Sequence, residues 1–416
     1  MRIDIAYGKK GLSLNIPAKR VRATLAPKPC TSLPHLDKSI RLALRRPYQS
    51  PPLAQLLTGK KSALIITVDN TRPSPRPLLQ PMIDACNDAG VRASIIIATG
   101  RHRQMTPKEL KTHLGPAIMR HTRVLQHDPF DTRNMRKLGT TKLGTPIRVN
   151  SEIFRHDLIL GCGIIEPSYL AGWSGGRKLI MPGLAHHQSV DNNHYYLTHP
   201  DTRIGKLHGN PLSDDALEFA RKLPFDFILY TVNGPNDEVV KVVAGHPYKA
   251  HEHACKLCAN IYRTKRITAD IVISSAGGYP YDCDLVQGKK AIIPAIESVN
   301  RNGVIILCAA CSGGLGAEDT FINWLTTKTP GEVVHDVMDK KLFSLGAHGA
   351  NILARPIVNK NATVILVTSP TIAKQLSGSY ITALTSIEQA WSLANMLTTK
   401  QSDVLLIEKA RRLIVT

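Results

Sequence analysis

The chain has 416 residues, 43% hydrophobic and 20% charged, the make-up of a globular protein long enough for two domains. It has no run of about 18 apolar residues for a membrane-spanning helix, no apolar core after Met1-Arg-Ile-Asp-Ile-Ala-Tyr-Gly8 for a secretory signal, and eight scattered cysteines rather than a disulfide scaffold; a reduced, cytoplasmic protein is expected. The formal charge of +21 is uneven, because residues 1–150 carry 27 Lys and Arg against 8 Asp and Glu and the remainder carries 26 against 24.

In chain order, short β-branched runs recur, each followed by Gly, Asp, Asn or Ser. They are Ala63–Val68, Ser94–Ala98, Leu158–Leu160, Phe227–Val232, Ile271–Ser274, Val304–Leu307 and Val364–Val367. Segments of helical period lie between them, among them Leu78–Ala89, Asp215–Lys222 and Lys289–Asn300. Continuous apolar strands alternating with helices predict parallel sheets covered on both faces. The expected fold class is α/β, with two α/β domains, mostly parallel sheets and an active-site cleft between them. The basic, polar stretch Arg263–Thr268 precedes a fresh strand, so the expected division is residues 1–265 and 266–401.

In such sheets ligands sit at the carboxyl ends of the strands. Asp69-Asn-Thr-Arg72 follows the run ending at Val68, and Thr99-Gly-Arg-His102 the run ending at Ala98. Gly161-Cys-Gly-Ile-Ile-Glu-Pro167 follows Leu160, and Ser275-Ala-Gly-Gly278 follows Ser274. Ser174-Gly-Gly-Arg-Lys178 offers small residues, backbone N–H groups and two cations, a turn that can approach a phosphate closely. As a bare pattern an exposed basic turn is the commoner reading, and the glycine spacing is not that of a P-loop. No Gly-x-Gly-x-x-Gly opens a βαβ unit, which counts against a nicotinamide dehydrogenase.

The basic N-terminal third is open to three readings, a nucleic-acid surface, a field for anionic small molecules or a solvated face without a specific partner, and charge alone favours the last. Its cations are scattered and only 5% of residues are aromatic, which counts against nucleic acid as a partner. His251-Glu-His-Ala-Cys-Lys-Leu-Cys258 and Cys308-Ala-Ala-Cys311 carry zinc-like spacing. The first lies in a helical stretch and the second ends an apolar strand, so free buried cysteines are the better reading.

Ile165-Glu-Pro, Ala171-Gly, Ser174-Gly-Gly-Arg-Lys178, Pro182-Gly183 and Asn193-His194 together resemble the nickel-dependent lactate racemase family. The resemblance extends to Ile3-Asp-Ile-Ala-Tyr-Gly8, Asp69–Arg72, Ala98-Thr-Gly-Arg-His-Arg103, His127-Asp128, Gly277-Gly-Tyr-Pro280 and Gln287-Gly-Lys-Lys290. It thus covers most of the chain. It implies a racemase or epimerase that inverts C2 of a 2-hydroxy acid through a nickel-pincer nucleotide, a pyridinium-based mononucleotide whose two sulfurs and one ring carbon hold Ni(II). It implies that Lys178 joins the cofactor through a thioamide and that His194 completes a square-planar metal site, a geometry that suits Ni(II). His102 matches a catalytic general base, and Arg72 and Lys290 match cationic site residues. Asp69, Thr71, Ser174, Gly175, Gly176, Arg177 and Gln287 are expected beside the cofactor, with Asp69 orienting Arg72 or the ribose. The expected partners are a small 2-hydroxy acid and the proteins that make the cofactor. The segment 402–416 is expected to pack back on the N-terminal domain.

The sequence departs from the family's pattern at Ser168, where a second catalytic histidine is expected after Glu-Pro. A serine is a poor base unless a neighbour activates it. His186, His187, Tyr169 or Tyr195 could replace the histidine, the enzyme could work with one base, or the substrate could be a longer or more hydroxylated acid than lactate. Val286, where lactate-specific members are expected to have tyrosine, favours the changed substrate. Two alternatives stand beside the racemase: an altered member that binds a nucleotide or nucleic acid without turnover, and a 2-hydroxyacid oxidoreductase.

Overall fold

The β-branched runs become strands of two six-stranded sheets in the computed structural model, which describes residues 1–316 and 318–416. The first sheet runs Val239–Gly245, Phe227–Asn233, Leu158–Ile165, Ser62–Thr67, Arg92–Ile97, Arg123–Gln126. All neighbours are parallel except Val239–Gly245, which pairs antiparallel at one edge. Leu64, Ile65 and Ile66 have no exposed surface, as expected of a parallel strand covered on both faces. One face is covered by Leu36–Arg45, through Ile40 and Leu44, and by Arg76–Asp88, through Leu78, Leu79, Met82 and Ile83.

From Ser62–Thr67 the chain adds strands outward through Arg92–Ile97 to Arg123–Gln126. It then returns to lay Leu158–Ile165 on the other side of Ser62–Thr67. The strand order therefore reverses between Ser62–Thr67 and Leu158–Ile165, the kind of point at which open α/β sheets bind ligands beyond their carboxyl ends. Leu158–Ile165 is longer than the expected run and takes in Gly161 and Gly163, so that part of the glycine-rich motif is strand rather than loop. A Cβ on Gly161 would lie 2.8 Å from the Phe225 ring, so the glycine permits close packing.

The second sheet is wholly parallel: Thr382–Leu384, Thr363–Val367, Val299–Cys308, Ala269–Ser275, Val404–Ile407, Val21–Leu25. The hairpin of Arg2–Ile5 and Leu12–Asn15 adds Ile3, Ile5 and Leu14 to its core. The expected helix Lys289–Asn300 is a 3₁₀ turn, Lys289–Ala291, followed by a helix over Ile292–Ser298.

The division of the chain differs from the expected 1–265 and 266–401. One unit is Pro29–Ile261; the other joins Met1–Lys28 to Tyr262–Thr416. The last segment, expected to pack back on residues 1–265, pairs with Val21–Leu25 and Arg263–Thr264 from that range. Val404–Ile407 lies inside the second sheet, between Ala269–Ser275 and Val21–Leu25. The physical reason is strand pairing: Val21–Leu25 pairs in parallel with Val404–Ile407, and Leu25 O accepts from the Glu408 N–H at 2.9 Å. No helix among the described residues is long and apolar enough to cross a membrane.

Candidate active site

The Asp69–Arg72 loop leaves Ser62–Thr67 at the reversal point. Asp69 is buried, with 4% of the residue exposed. Its Oδ2 lies 2.6 Å from His102 Nδ1, and its Oδ1 accepts from the Thr71 hydroxyl and, at 3.1 Å, from the Thr71 N–H. Burial pulls the carboxyl pKa up, but the His102 and Thr71 bonds outweigh it and hold it below the ordinary value. Asp69 thus orients His102 rather than the Arg72 side chain, one of the two partners expected for it. Arg72 turns the other way and pairs through Nε with Glu166 Oε1 at 2.8 Å, across the reversal point. Glu166 was visible in the motif but carried no assigned role, because nothing in the sequence brings it to Arg72.

The Ser174–Lys178 turn is built to present one side chain. Gly175 and Gly176 have φ of 72° and 55°, the left-handed region that glycine tolerates. A Cβ on Gly175 would lie 2.5 Å from Ile165 Cδ1, and one on Gly176 would lie 2.6 Å from the His251 ring. Ser174 N–H donates to Glu166 O, Gly176 N–H to the Tyr230 hydroxyl and Lys178 N–H to Gly175 O. His251 Nε2 bonds Ser174 O at 2.8 Å, and burial presses this imidazole down to about 3, so it is neutral. Three of the N–H groups in the turn expected to approach a phosphate are thus bonded inside the protein.

Arg177 is corrected as well. It is buried at 3% exposure, with Nε donating to Ser213 O at 3.0 Å and Nη2 to Ala171 O at 2.9 Å and to the Ser213 hydroxyl. It is a bolt through the core. Lys178 is partly buried and its environment is cationic. Burial first, then the Arg72 and Arg177 guanidinium groups, press its amine down to about 7, and only Glu166 pulls the other way.

His194 lies near the end of the helix His187–Tyr195 and is 9% exposed. Its neighbour Asn193 fixes the helix by donating through Nδ2 to Leu212 O at 2.9 Å and Asp215 Oδ2 at 2.8 Å. Asp215 also accepts from the Thr141 and Thr145 hydroxyls, so the anchor is fully internal. Arg101, next to His102, reaches the same helix through Asp191 at 2.9 Å.

Ser168 pairs with Gly172 in a two-residue ladder. The hairpin is clamped: Leu170 O accepts from Asn210, Ala171 O from Arg177, and Gly172 O from the Gly205 N–H. Of the residues considered as a second base, His186 is buried and caps the helix by accepting the Gln188 N–H at 3.3 Å. His187 stacks on Phe130 with centroids 4.9 Å apart. Gln287 and Lys290 belong to the other unit, where Lys290 Nζ donates to Gln287 Oε1 at 2.6 Å. Cys255, Cys258, Cys308 and Cys311 are buried, and none of them forms a disulfide among the described residues.

Comparison with known proteins covers nearly the whole chain. A family model described as the lactate racemase N-terminal domain matches residues 7–205, and one described as the lactate racemase C-terminal domain matches residues 264–415. A lactate racemase of Thermoanaerobacterium thermosaccharolyticum is 31% identical over 422 residues, covering 99% of each chain. A lactate racemase of Lactiplantibacillus plantarum is 29% identical over 346 residues, covering 81% of each. The structure of the Thermoanaerobacterium lactate racemase apoprotein superposes with a TM-score of 0.93 over all of both chains, at 32% identity. A Thermotoga maritima protein shares the fold at a TM-score of 0.67 and 19% identity, over 91% of this chain and 98% of its own. With both domain models matched and a full-length relative above 30% identity, this chain belongs to the lactate racemase family.

Proposed function

We propose that this protein is a racemase or epimerase that inverts C2 of a 2-hydroxy acid with the aid of a nickel-pincer nucleotide, and that its substrate is not plain lactate. One observation carries the reading. A carboxylate-backed histidine, an anchored arginine and a lysine held near neutrality emerge at one strand-order reversal.

The residues suit the cofactor. An amine pressed to about 7 is in good part uncharged at neutral pH, the form that attacks an acyl or thioacyl carbon. His194 offers one imidazole from a buried, well-anchored helix, which suits a metal whose other donors come with the cofactor. When bound, the group supplies a reversible acceptor for the C2 hydride.

The chain's own residues do the remaining work. Asp69 ties up His102 Nδ1, which leaves Nε2 as the atom that takes and returns the substrate hydroxyl proton. The buried carboxylate steadies the imidazolium that forms. Arg72, fixed by Glu166, is the cation for the substrate carboxylate. Lys290 and Gln287 are assigned to the same reaction, and Thr71, Ser174, Gly175 and Gly176 shape the surroundings of Lys178. Ser168, on its clamped hairpin, leaves room where a histidine would stand, and this supports a longer or more hydroxylated acid. Cofactor-making proteins as partners, and a cytoplasmic site of action, belong to the same reading.

The test is to purify the protein from a host that makes the cofactor, measure intact mass and nickel, and assay a panel of 2-hydroxy acids by chiral chromatography. Stoichiometric nickel, an adduct on Lys178 and inversion of a larger acid are expected. Protein free of nickel from that host would overturn the cofactor assignment. Inversion of lactate in preference to every larger acid would overturn the substrate assignment.

A further inference from the structure

Glu166 is buried at 4% exposure and touches both halves of the candidate site. Its carboxylate holds Arg72 Nε at 2.8 Å. Its backbone is bound at both ends by Ser174: Glu166 N–H donates to Ser174 Oγ at 2.8 Å, and Ser174 N–H donates to Glu166 O at 2.9 Å. Ser174 Oγ donates in turn to Ile164 O at 2.9 Å. Four residues later the turn presents Lys178.

We propose that Glu166 is a positioning residue that locks Arg72 and the Lys178 turn into one body across the strand-order reversal. The proposal rests on the reading that Arg72 and Lys178 serve the same site. Two like charges do not stay close unless something holds them. The charged groups facing the Lys178 amine are Arg72, Arg177 and Glu166, and Glu166 is the one acid among them. Arg177 is fixed by Ser213 and Ala171. Arg72 lies on a loop and is 26% exposed; its Nη1 donates to Thr71 O at 3.0 Å within that loop, and Glu166 ties it to the strand that leads to the lysine.

The test is a double-variant cycle read on Lys178, not on turnover. Full-length protein from a host that lacks the cofactor pathway is acetylated with acetic anhydride over a pH series, and the Lys178 peptide is quantified by mass spectrometry. In the Arg72→Ala variant the half-maximal rate should move to higher pH by on the order of one unit, because a nearby cation is gone. In a Glu166→Met background, Arg72 is no longer held there, so adding Arg72→Ala should move the profile no further. Shifts that simply add would overturn the proposal, since Arg72 would then sit by Lys178 without Glu166. An unmoved profile in Arg72→Ala would overturn it too. If Glu166→Met does not fold, the same cycle runs in Glu166→Ala. Nickel-free protein in the earlier experiment would sink the cofactor reading and leave this result standing.

Discussion

Asp69 Oδ2 and His102 Nδ1 stand 2.6 Å apart, with the carboxylate 5% exposed and the imidazole 59% exposed. A buried acid behind an accessible imidazole fixes which ring nitrogen faces the substrate. Asp69→Asn keeps the shape but lets the ring adopt either tautomer. The expected result is a fall in kcat of about 10²–10⁴, with KM changed far less. Steady-state kinetics in both directions check it. A fall confined to KM would show that Asp69 serves binding instead.

The two histidines separate metal from proton transfer. His194→Ala should lose nickel, because the metal then lacks its protein donor. His102→Ala should keep nickel and lose turnover by about 10²–10⁴. Metal analysis and chiral assay on the same preparations decide it. Retained turnover in both variants would refute both roles.

Lys178 couples stability to pH. Its amine is pressed by burial, then by Arg72 and Arg177, from 10.5 to about 7. Between those values the unfolded chain holds a proton that the folded chain does not, so stability rises with pH across that window. Below about 7 both states hold the proton and the penalty is fully present. Lys178→Met removes the penalty. Denaturation midpoints should therefore favour the variant near about pH 6, and the advantage should vanish towards about pH 10. Parallel curves would show that the amine is not depressed.

The parallel strands were legible because burial on both faces writes itself as unbroken apolar runs, as at Ala63–Val68 and Val364–Val367. The ends of those runs placed Asp69, Arg72 and His102 beyond Ser62–Thr67 and Arg92–Ile97, at the carboxyl edge of the sheet. Three things were not legible. Val21–Leu25 pairs with Val404–Ile407 across the whole chain, and no local pattern announces such a partner. Glu166 meets Arg72 only because the strand order reverses between them. Arg177 and Lys178 are adjacent cations in sequence, yet a 3₁₀ turn sends one into the core and leaves the other at the site.

Arg177 is therefore a stability residue. Alanine there takes a donor from the carbonyls of Ser213 and Ala171 and from the Ser213 hydroxyl, and empties a buried site, at a cost of about 2–4 kcal/mol. The thermal midpoint should fall by roughly 5–10 °C. Arg177→Lys should recover only part, because an ammonium cannot span the set of acceptors that the planar fork reaches. Calorimetry checks it, and an unchanged midpoint would return Arg177 to the ligand side of the turn.

Ser168 decides the substrate if the hairpin is as rigid as its bonds indicate. Asn210, Arg177 and Gly205 hold the carbonyls of Leu170, Ala171 and Gly172, so a larger side chain at 168 has to fill the space ahead of it rather than push the hairpin back. Ser168→His should therefore lower kcat/KM for a larger 2-hydroxy acid and raise it for lactate. The ratio between them should change by about 10–200-fold, the range that pocket volume alone gives. Competition between the two acids, followed by chiral chromatography, measures that ratio directly. If it does not move, Ser168 lies outside the pocket, and the choice of substrate falls to residues other than this one.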